Sequence, residues 1–268
     1  MSQNQYIKIE KKEGIFLIGL NRPEERNAIN TEMILQLSDA LTEYEDDSDS
    51  RCAVLYAEGM HFTFGLELQE VADTVIKANE SGSDTIYPEN NINPWNTGMT
   101  KRVRTKPLIC AVHGFCLTLG IELMLACDIV IAAEKTKFSQ LEVQRGIMPF
   151  GGATIRFVRS AGWGNAMRYL LTGDVFSAEE AYRLGLVQEI VPKKDLLESA
   201  IQLAKKIAEQ APLAIKAILA NSRKYVMEGE GEATKNLVSI TAGLLKSQDG
   251  KEGIQSFLEK RKANFVGK

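Results

Sequence analysis

Two glutamates sit where hydrophobicity leaves no place for them, both between Lys106 and Gly152. Glu122 is embedded in Leu117-Thr118-Leu119-Gly120-Ile121-Glu122-Leu123-Met124-Leu125-Ala126-Cys127, an almost wholly apolar run. A carboxylate in such surroundings is costly unless it is paired or its pKa moves. Pro107 to Val112 reads as a buried strand ended at His113-Gly114, and Asp128 to Ala133 reads as another. The spacing therefore predicts a short helix over Leu119 to Ala126. Its N-terminus offers free N–H groups and the positive end of a dipole, and Glu122 lies one turn on, on the same face. Glu142 follows twenty residues later in Phe138-Ser139-Gln140-Leu141-Glu142-Val143. Gly146 and Pro149-Phe150-Gly151-Gly152 make a turn-rich stretch that can bring the chain back toward Glu122. On the residues alone, Glu122 is either half of a structural ion pair or a working acid–base group. Glu142 is either an ordinary strand-end side chain or its partner.

The remaining pattern alternates strands and helices. Tyr6–Glu10 and Ile15–Leu20 form a hairpin turning near Glu13-Gly14. Asn30 caps a helix with Ile34, Leu37, Leu41 and Tyr44 on one face, and Ala53–Ala57 is a buried strand. From about Asp73 to Arg104 the pattern breaks, and Ser81-Gly82-Ser83, Pro88-Glu89-Asn90-Asn91 and Asn93-Pro94 mark a long irregular loop. Loops of that length in a compact domain are usually functional or mobile. Its Tyr87 and Trp95 either line a pocket or anchor the loop on the surface. Beyond Gly152 the chain turns helical. Ser177-x-x-Glu180 is a capping box, Val187–Val191 is a short strand, and Leu197, Ala200, Ile201, Ala204, Ile207 and Ala208 form a stripe. Pro212 opens a further helix, and Asp249 with Glu252 caps the last one.

These residues together resemble the crotonase, or enoyl-CoA hydratase/isomerase, superfamily. Gly120-Ile121-Glu122-Leu123, Ala126-Cys127-Asp128-Ile129 and the later glutamate with its Gly, Pro, Gly-Gly run carry the resemblance. It extends from Leu20-Asn21-Arg22-Pro23 to Glu259-Lys260-Arg261. It implies an α/β fold, a crotonase-type spiral of β-β-α units (residues 1–195) followed by a helical trimerisation region (196–268). It also implies hydration of a trans-2-enoyl-CoA thioester to a 3-hydroxyacyl-CoA. Glu122 and Glu142 would move protons, and the backbone N–H groups of Leu66 and Leu119 would form the oxyanion hole. CoA would lie along Arg26, Asn27, Ala28 and Phe64, with Phe257 and Lys260 acting from a neighbouring subunit. Phe150 and Trp95 would shape the acyl pocket. The CoA thioester is the substrate, with no other cofactor and no metal implied. Double-bond isomerisation and non-catalytic acyl-CoA or RNA binding are the alternatives on the same scaffold. Three positions depart from the usual pattern: Thr118-Leu119-Gly120 replaces three glycines, Phe150 a glycine and Glu67 an aspartate.

Composition agrees with that expectation. Thirty-two Lys and Arg against 35 Asp and Glu leave a net charge of -3, which disfavours nucleic acid as partner. RNA binding would call for a clustered basic patch, of which Lys101-Arg102-Val103-Arg104 is the only hint. Cys52, Cys110, Cys116 and Cys127 form no Cys-x-x-Cys pair, and with two histidines a zinc site is not expected. The cysteines read as small buried hydrophobes in a reducing cytosol. The polar start Met1-Ser2-Gln3-Asn4-Gln5 shows no secretory signal, and no apolar run reaches membrane-spanning length. The expected setting is cytoplasmic, as a homotrimer or dimer of trimers.

Overall fold

A computed structural model describes residues 5–83, 86–97 and 100–268. Strands β1 (Ile7–Lys12) and β2 (Ile15–Leu20) pair antiparallel. Strand β3 (Cys52–Ala57) lies parallel to β2, and β4 (Leu108–Val112) parallel to β3. After β5 (Phe115–Leu117) come β6 (Ile129–Ala133), β7 (Lys137–Ser139), β8 (Phe176–Ser177) and β9 (Glu189–Val191). The larger sheet runs β1-β2-β3-β4-β6-β9, and a smaller one runs β5-β7-β8. Central strands of the large sheet are apolar at every position because both of its faces are covered. Phe16, Ile18, Leu55 and Cys110 point into one core, and Ile15, Leu17, Val54 and Ile109 into the other.

Helix α1 (Thr31–Asp46) covers the first face. Asn30 Oδ1 accepts the Met33 N–H at 2.9 Å, the expected cap, and Ile34, Leu37, Leu41 and Tyr44 are all buried. The stretch from Asp73, expected to be irregular, is in fact helical as far as Glu80, within α2 (Leu68–Glu80). Val71 alone among its described residues is buried, so its polar composition hid a mostly exposed helix. Helix α3 (Leu119–Ala126) falls on the expected residues. It is followed by α4 (Ala153–Ala161), α5 (Trp163–Thr172) and α6 (Ala178–Arg183), the last capped by Ser177 as expected.

Helix α7 (Leu196–Ala208) packs Leu196, Ala200 and Ala204 against the second sheet face. It thus sits on the β core, although it opens the segment 196–268. The outer helices are α8 (Pro212–Glu228), α9 (Glu230–Thr234), α10 (Leu237–Lys246) and α11 (Gln248–Glu259). Asp128 ties α8 to the core by accepting from Arg104 at 2.6 Å and from Arg223 at 3.3 Å. The cap of α11 differs from expectation: Ser247 Oγ accepts the Gly250 N–H. Asp249 instead accepts the Val266 and Gly267 amides of the C-terminal tail, and Glu252 pairs with Arg261. Cys52, Cys110 and Cys116 are buried and Cys127 is partly so, in keeping with hydrophobic roles. No described helix is long and apolar enough to cross a membrane, and no described cluster of His, Cys, Asp and Glu suits a metal.

Candidate active site

The small sheet brings the two glutamates together. β5 and β7 are parallel, with Leu117 opposite Ser139, so the chain leaves both strands at the same end. One exit leads through Thr118 into α3. The other leads through Gln140 into a 3₁₀ turn, Glu142–Arg145. Thr118 N donates to Ser139 O at 2.9 Å and closes the two exits on each other. Twenty residues of sequence separation thereby collapse to a shared site.

Glu122 is 0% exposed and Glu142 7%. Glu122 Oε1 accepts the Ala153 N–H at 2.9 Å, at the start of α4, while its Oε2 has no hydrogen-bond partner. Burial pushes the Glu122 carboxyl up to about 7, against the opposing pull of the Ala153 and Gly151 amides and Arg156. Burial likewise raises Glu142 to about 7, and the charge of Glu122 adds to the rise. Neither is half of an ion pair: desolvation, not a cation, dominates both.

A segment beside β5 completes the wall. Thr63 and Cys116 form a parallel bridge, as do Ile29 and Leu66. In the second bridge Ile29 N donates to Gly65 O and Glu67 N to Ile29 O, so the pairing bypasses the Leu66 amide. The Leu119 amide stands at the first position of α3, where no intrahelical acceptor exists. The two turns carrying these amides touch. Gly65 has φ +93°, and a Cβ there would stand 1.9 Å from Thr118 Oγ1. Thr118 itself has φ 48° and ψ -119°, a region a β-branched residue rarely enters. That conformation turns the chain sharply from β5 into α3.

An apolar cavity of about 210 Å³ opens at this point, lined by Ile86, Tyr87, Trp95, Leu119 and Phe150 among others. The expected pocket residues Trp95 and Phe150 both line it, and Tyr87 joins them. The Trp95 side chain is 2% exposed, and its Nε1–H donates to Leu119 O at 3.0 Å. A Cβ on Gly151 would meet Trp95 Cδ1 at 2.7 Å and both Glu122 Oε2 and Leu119 Cδ1 at 3.0 Å. Glycine there lets the indole, the carboxyl and the leucine share one corner.

The nucleotide-end residues divide. Arg26, Asn27, Ala28 and Phe64 are adjacent, and Phe64 N donates to Arg26 O at 3.1 Å. The Asn27 side chain is spent internally on Arg22 N, Glu58 O and His61 O, which leaves it none for a ligand. Phe257 and Lys260 lie at the end of α11, away from this cluster, with Phe257 82% exposed. Two contributors carried no sequence signal. Buried Gln140, with its amide nitrogen facing them, donates to Thr118 O at 3.0 Å and Glu142 Oε2 at 3.2 Å. Arg156 donates to Gly151 O at 3.1 Å and Asn96 O at 2.8 Å, and so clamps the start of α4 to the loop carrying Trp95.

The sheet arrangement and the helices that follow it are those of a crotonase-type α/β protein. The family model described as enoyl-CoA hydratase/isomerase matches residues 10–268, and the chain belongs to that family. The chain is 35% identical to the enoyl-CoA hydratase EchA19 of Mycobacterium tuberculosis, over 96% of this chain and 95% of that one. It is 32% identical to the 2,3-dehydroadipyl-CoA hydratase of Escherichia coli, over 97% and 98%. Among solved structures, a probable enoyl-CoA hydratase/isomerase from Mycobacterium abscessus superposes with a TM-score of 0.93. It shares 51% identity and covers 98% of this chain and 99% of that one.

Proposed function

We propose that the protein adds water across the double bond of a trans-2-enoyl-CoA thioester. The observation that carries this reading is the pair of buried carboxyls, both pushed up to about 7, with Glu122 against Gly151 in the wall of an apolar cavity. Hydration needs a base to activate water and an acid to protonate the α-carbon, and two such groups on one substrate meet that need. One carboxylate takes a proton from water as its oxygen bonds to C3; the other carboxylic acid delivers its proton to C2. Between these events negative charge rests on the thioester oxygen, and the Leu66 and Leu119 amides receive it. Double-bond migration can proceed with one carboxyl, so the second, equally tuned one favours hydration, as do the names of the curated relatives. The apolar outer faces of α8, α10 and α11, with Ile218, Tyr225, Val238 and Phe257 exposed, support assembly as a homotrimer or dimer of trimers. In such an assembly Phe257 and Lys260 would reach a neighbouring copy's CoA.

Among the described residues, those that line the cavity carry no charged side chain. An acyl chain ending in a carboxylate would have to bury that charge without a partner. The test is loss of the thioester ultraviolet band with two six-carbon substrates. trans-2-Hexenoyl-CoA will be hydrated, with kcat/KM about 100-fold or more above that of 2,3-dehydroadipyl-CoA. No change with any 2-enoyl-CoA, alongside turnover of a 3-enoyl-CoA, would replace hydration by isomerisation.

Burial lifts both carboxyls to about 7, and the charge of Glu122 adds to the rise at Glu142, so the second carboxyl titrates under the influence of the first. As pH falls, the base takes up a proton and activity is lost; as pH rises, the acid gives its proton up and activity is lost again. A bell-shaped kcat profile centred near pH 7 is therefore expected, and a profile flat from pH 5.5 to 9 would remove the paired mechanism.

A further inference from the structure

The glycine pair before α4 is flanked by a carboxyl and a guanidinium. A Cβ on Gly151 would stand 3.0 Å from Glu122 Oε2, and one on Gly152 would collide with Arg156 Nη1. Arg156 spends its hydrogen bonds on carbonyls, Nη1 on Gly151 O at 3.1 Å and Nη2 on Asn96 O at 2.8 Å. Those bonds close a ring. Trp95 Nε1–H donates to Leu119 O at 3.0 Å, and Asn96, the next residue, accepts from Arg156. Arg156 also holds Gly151 O, and two residues on the Ala153 N–H donates to Glu122 Oε1 at 2.9 Å. Glu122 shares α3 with Leu119, where the ring began. The turn that carries Trp95 is braced in itself: Asn93 Oδ1 accepts the Trp95 N–H at 2.9 Å, and Asn93 Nδ2 donates to Thr97 Oγ1 at 2.7 Å. Arg156 is the link that joins this piece of the cavity wall to the backbone holding the carboxyl.

The groups around Glu122 act differently on its proton. From the start of α4, the Ala153, Gly151 and Gly152 amides and the charge of Arg156 favour the carboxylate against the effect of burial. From the loop, the Tyr87 phenol is held protonated by burial and by the charge of Glu122. From the 3₁₀ turn, Glu142 is raised by burial, with the charge of Glu122 adding to the rise. Arg159, one turn along α4, acts on Arg156 as a like charge, and a guanidinium keeps its proton throughout. Arg156 thus favours the ionised form of one carboxyl, and that charge favours the protonated form of the other. Arginine also offers a rigid planar fork that spans two carbonyls, whereas lysine offers the charge without the fork. Clamp and charge can therefore be removed separately.

We propose that Arg156 is a positioning residue for the proton transfers: it fixes the Trp95 turn and the start of α4 around Glu122 and places a positive charge beside that carboxyl. This rests on the hydration reading above. With that charge in place Glu122 is the base of the reaction, and its protonation sets the acid limb of the pH profile. The pH dependence of kcat with trans-2-hexenoyl-CoA would be measured for wild type, Arg156→Met and Arg156→Lys. Arg159→Met, which removes an exposed charge from the same helix, is the control. In Arg156→Met the acid limb is expected to move up by about one unit, the lower end of what a nearby opposite charge does. Arg156→Lys restores the charge and returns the limb to its wild-type position, and Arg159→Met leaves it there. A purely structural role would lower kcat or the melting temperature at every pH and leave the limb in place. Without substrate, the infrared band of the protonated Glu122 carboxyl, assigned by its loss in Glu122→Gln, will titrate about one unit higher in Arg156→Met. Arg156→Gln, which keeps a donor for Gly151 O without the charge, gives the same shift should the methionine variant not fold. An unmoved band in a folded, uncharged variant, or an equal movement in Arg159→Met, overturns the role. A shifted band in a protein that hydrates no enoyl thioester keeps the role of Arg156 and ends the proposed reaction.

Discussion

Replacing Glu142 with glutamine will lower kcat by about 10²- to 10⁴-fold and change thioester affinity only a few-fold. The amide keeps the size and polarity of the carboxyl and removes its ability to carry a proton, which is the contribution at stake. Gln140 Nε2 can still donate to the amide oxygen, so the 3₁₀ turn should hold its place. Glu122→Gln is expected to behave alike, because its carboxyl is as deeply desolvated and tuned to the same range. Single-turnover rates with trans-2-hexenoyl-CoA, alongside binding of a saturated analogue, separate chemistry from affinity. Full turnover in Glu142→Gln with loss in Glu122→Gln would point to a one-carboxyl reaction. Wild-type rates in both would end the proton-transfer scheme altogether.

Leu119→Pro is expected to cost two to three decades in turnover, read on protein whose assembly and melting temperature are checked first, because the proline also restricts Thr118. The residue is the first of α3, a position where proline fits the backbone and removes an N–H that the helix itself does not use. What is lost is one donor to the thioester oxygen, worth roughly 2.7–4 kcal/mol in related chemistry. Leu119→Ala keeps that donor. It shortens the side chain that meets Trp95 and Phe150 in the cavity wall, so it should shift acyl preference more than rate. Undiminished turnover in a correctly assembled Leu119→Pro protein would mean that the oxyanion is stabilised elsewhere.

Why some of this could be read from the chain and some could not follows from range. Glu122 was legible because its neighbours within a turn are apolar, and burial of a carboxyl is visible in such local contrast. The α3 limits were legible for the same reason, since strand signals bracket them closely. Asn30 and Ser177 cap within three residues, so their sequence signals are complete in themselves. Ser247 caps just as locally, but Asp249 and Glu252 beside it are equally good cap residues by type, and Asp249 makes its bonds to a tail 17 and 18 residues off. Helix α2 buries too little to show a stripe. Gln140 and Arg156 act through partners that only the fold brings near: Thr118 O for one, Asn96 O for the other. Glu142 lay between these cases. Nothing around it signals burial, and only the parallel pairing of β5 with β7 places it beside Glu122. The resemblance named it, whereas the local pattern left it open.

The hydrogen bond from Trp95 to the start of α3 gives the protein an intrinsic optical gauge. The chain holds two tryptophans. Trp163 is 71% exposed on α5, and its emission is that of an indole in water. Trp95 is walled into the cavity and bonded to the residue whose amide would hold the thioester oxygen. Filling of the cavity by an acyl chain and any shift of α3 both change the surroundings of that one ring. With Trp163 replaced by phenylalanine, the fluorescence of the whole protein becomes a record of events within a few ångströms of Leu119, in real time and without a label.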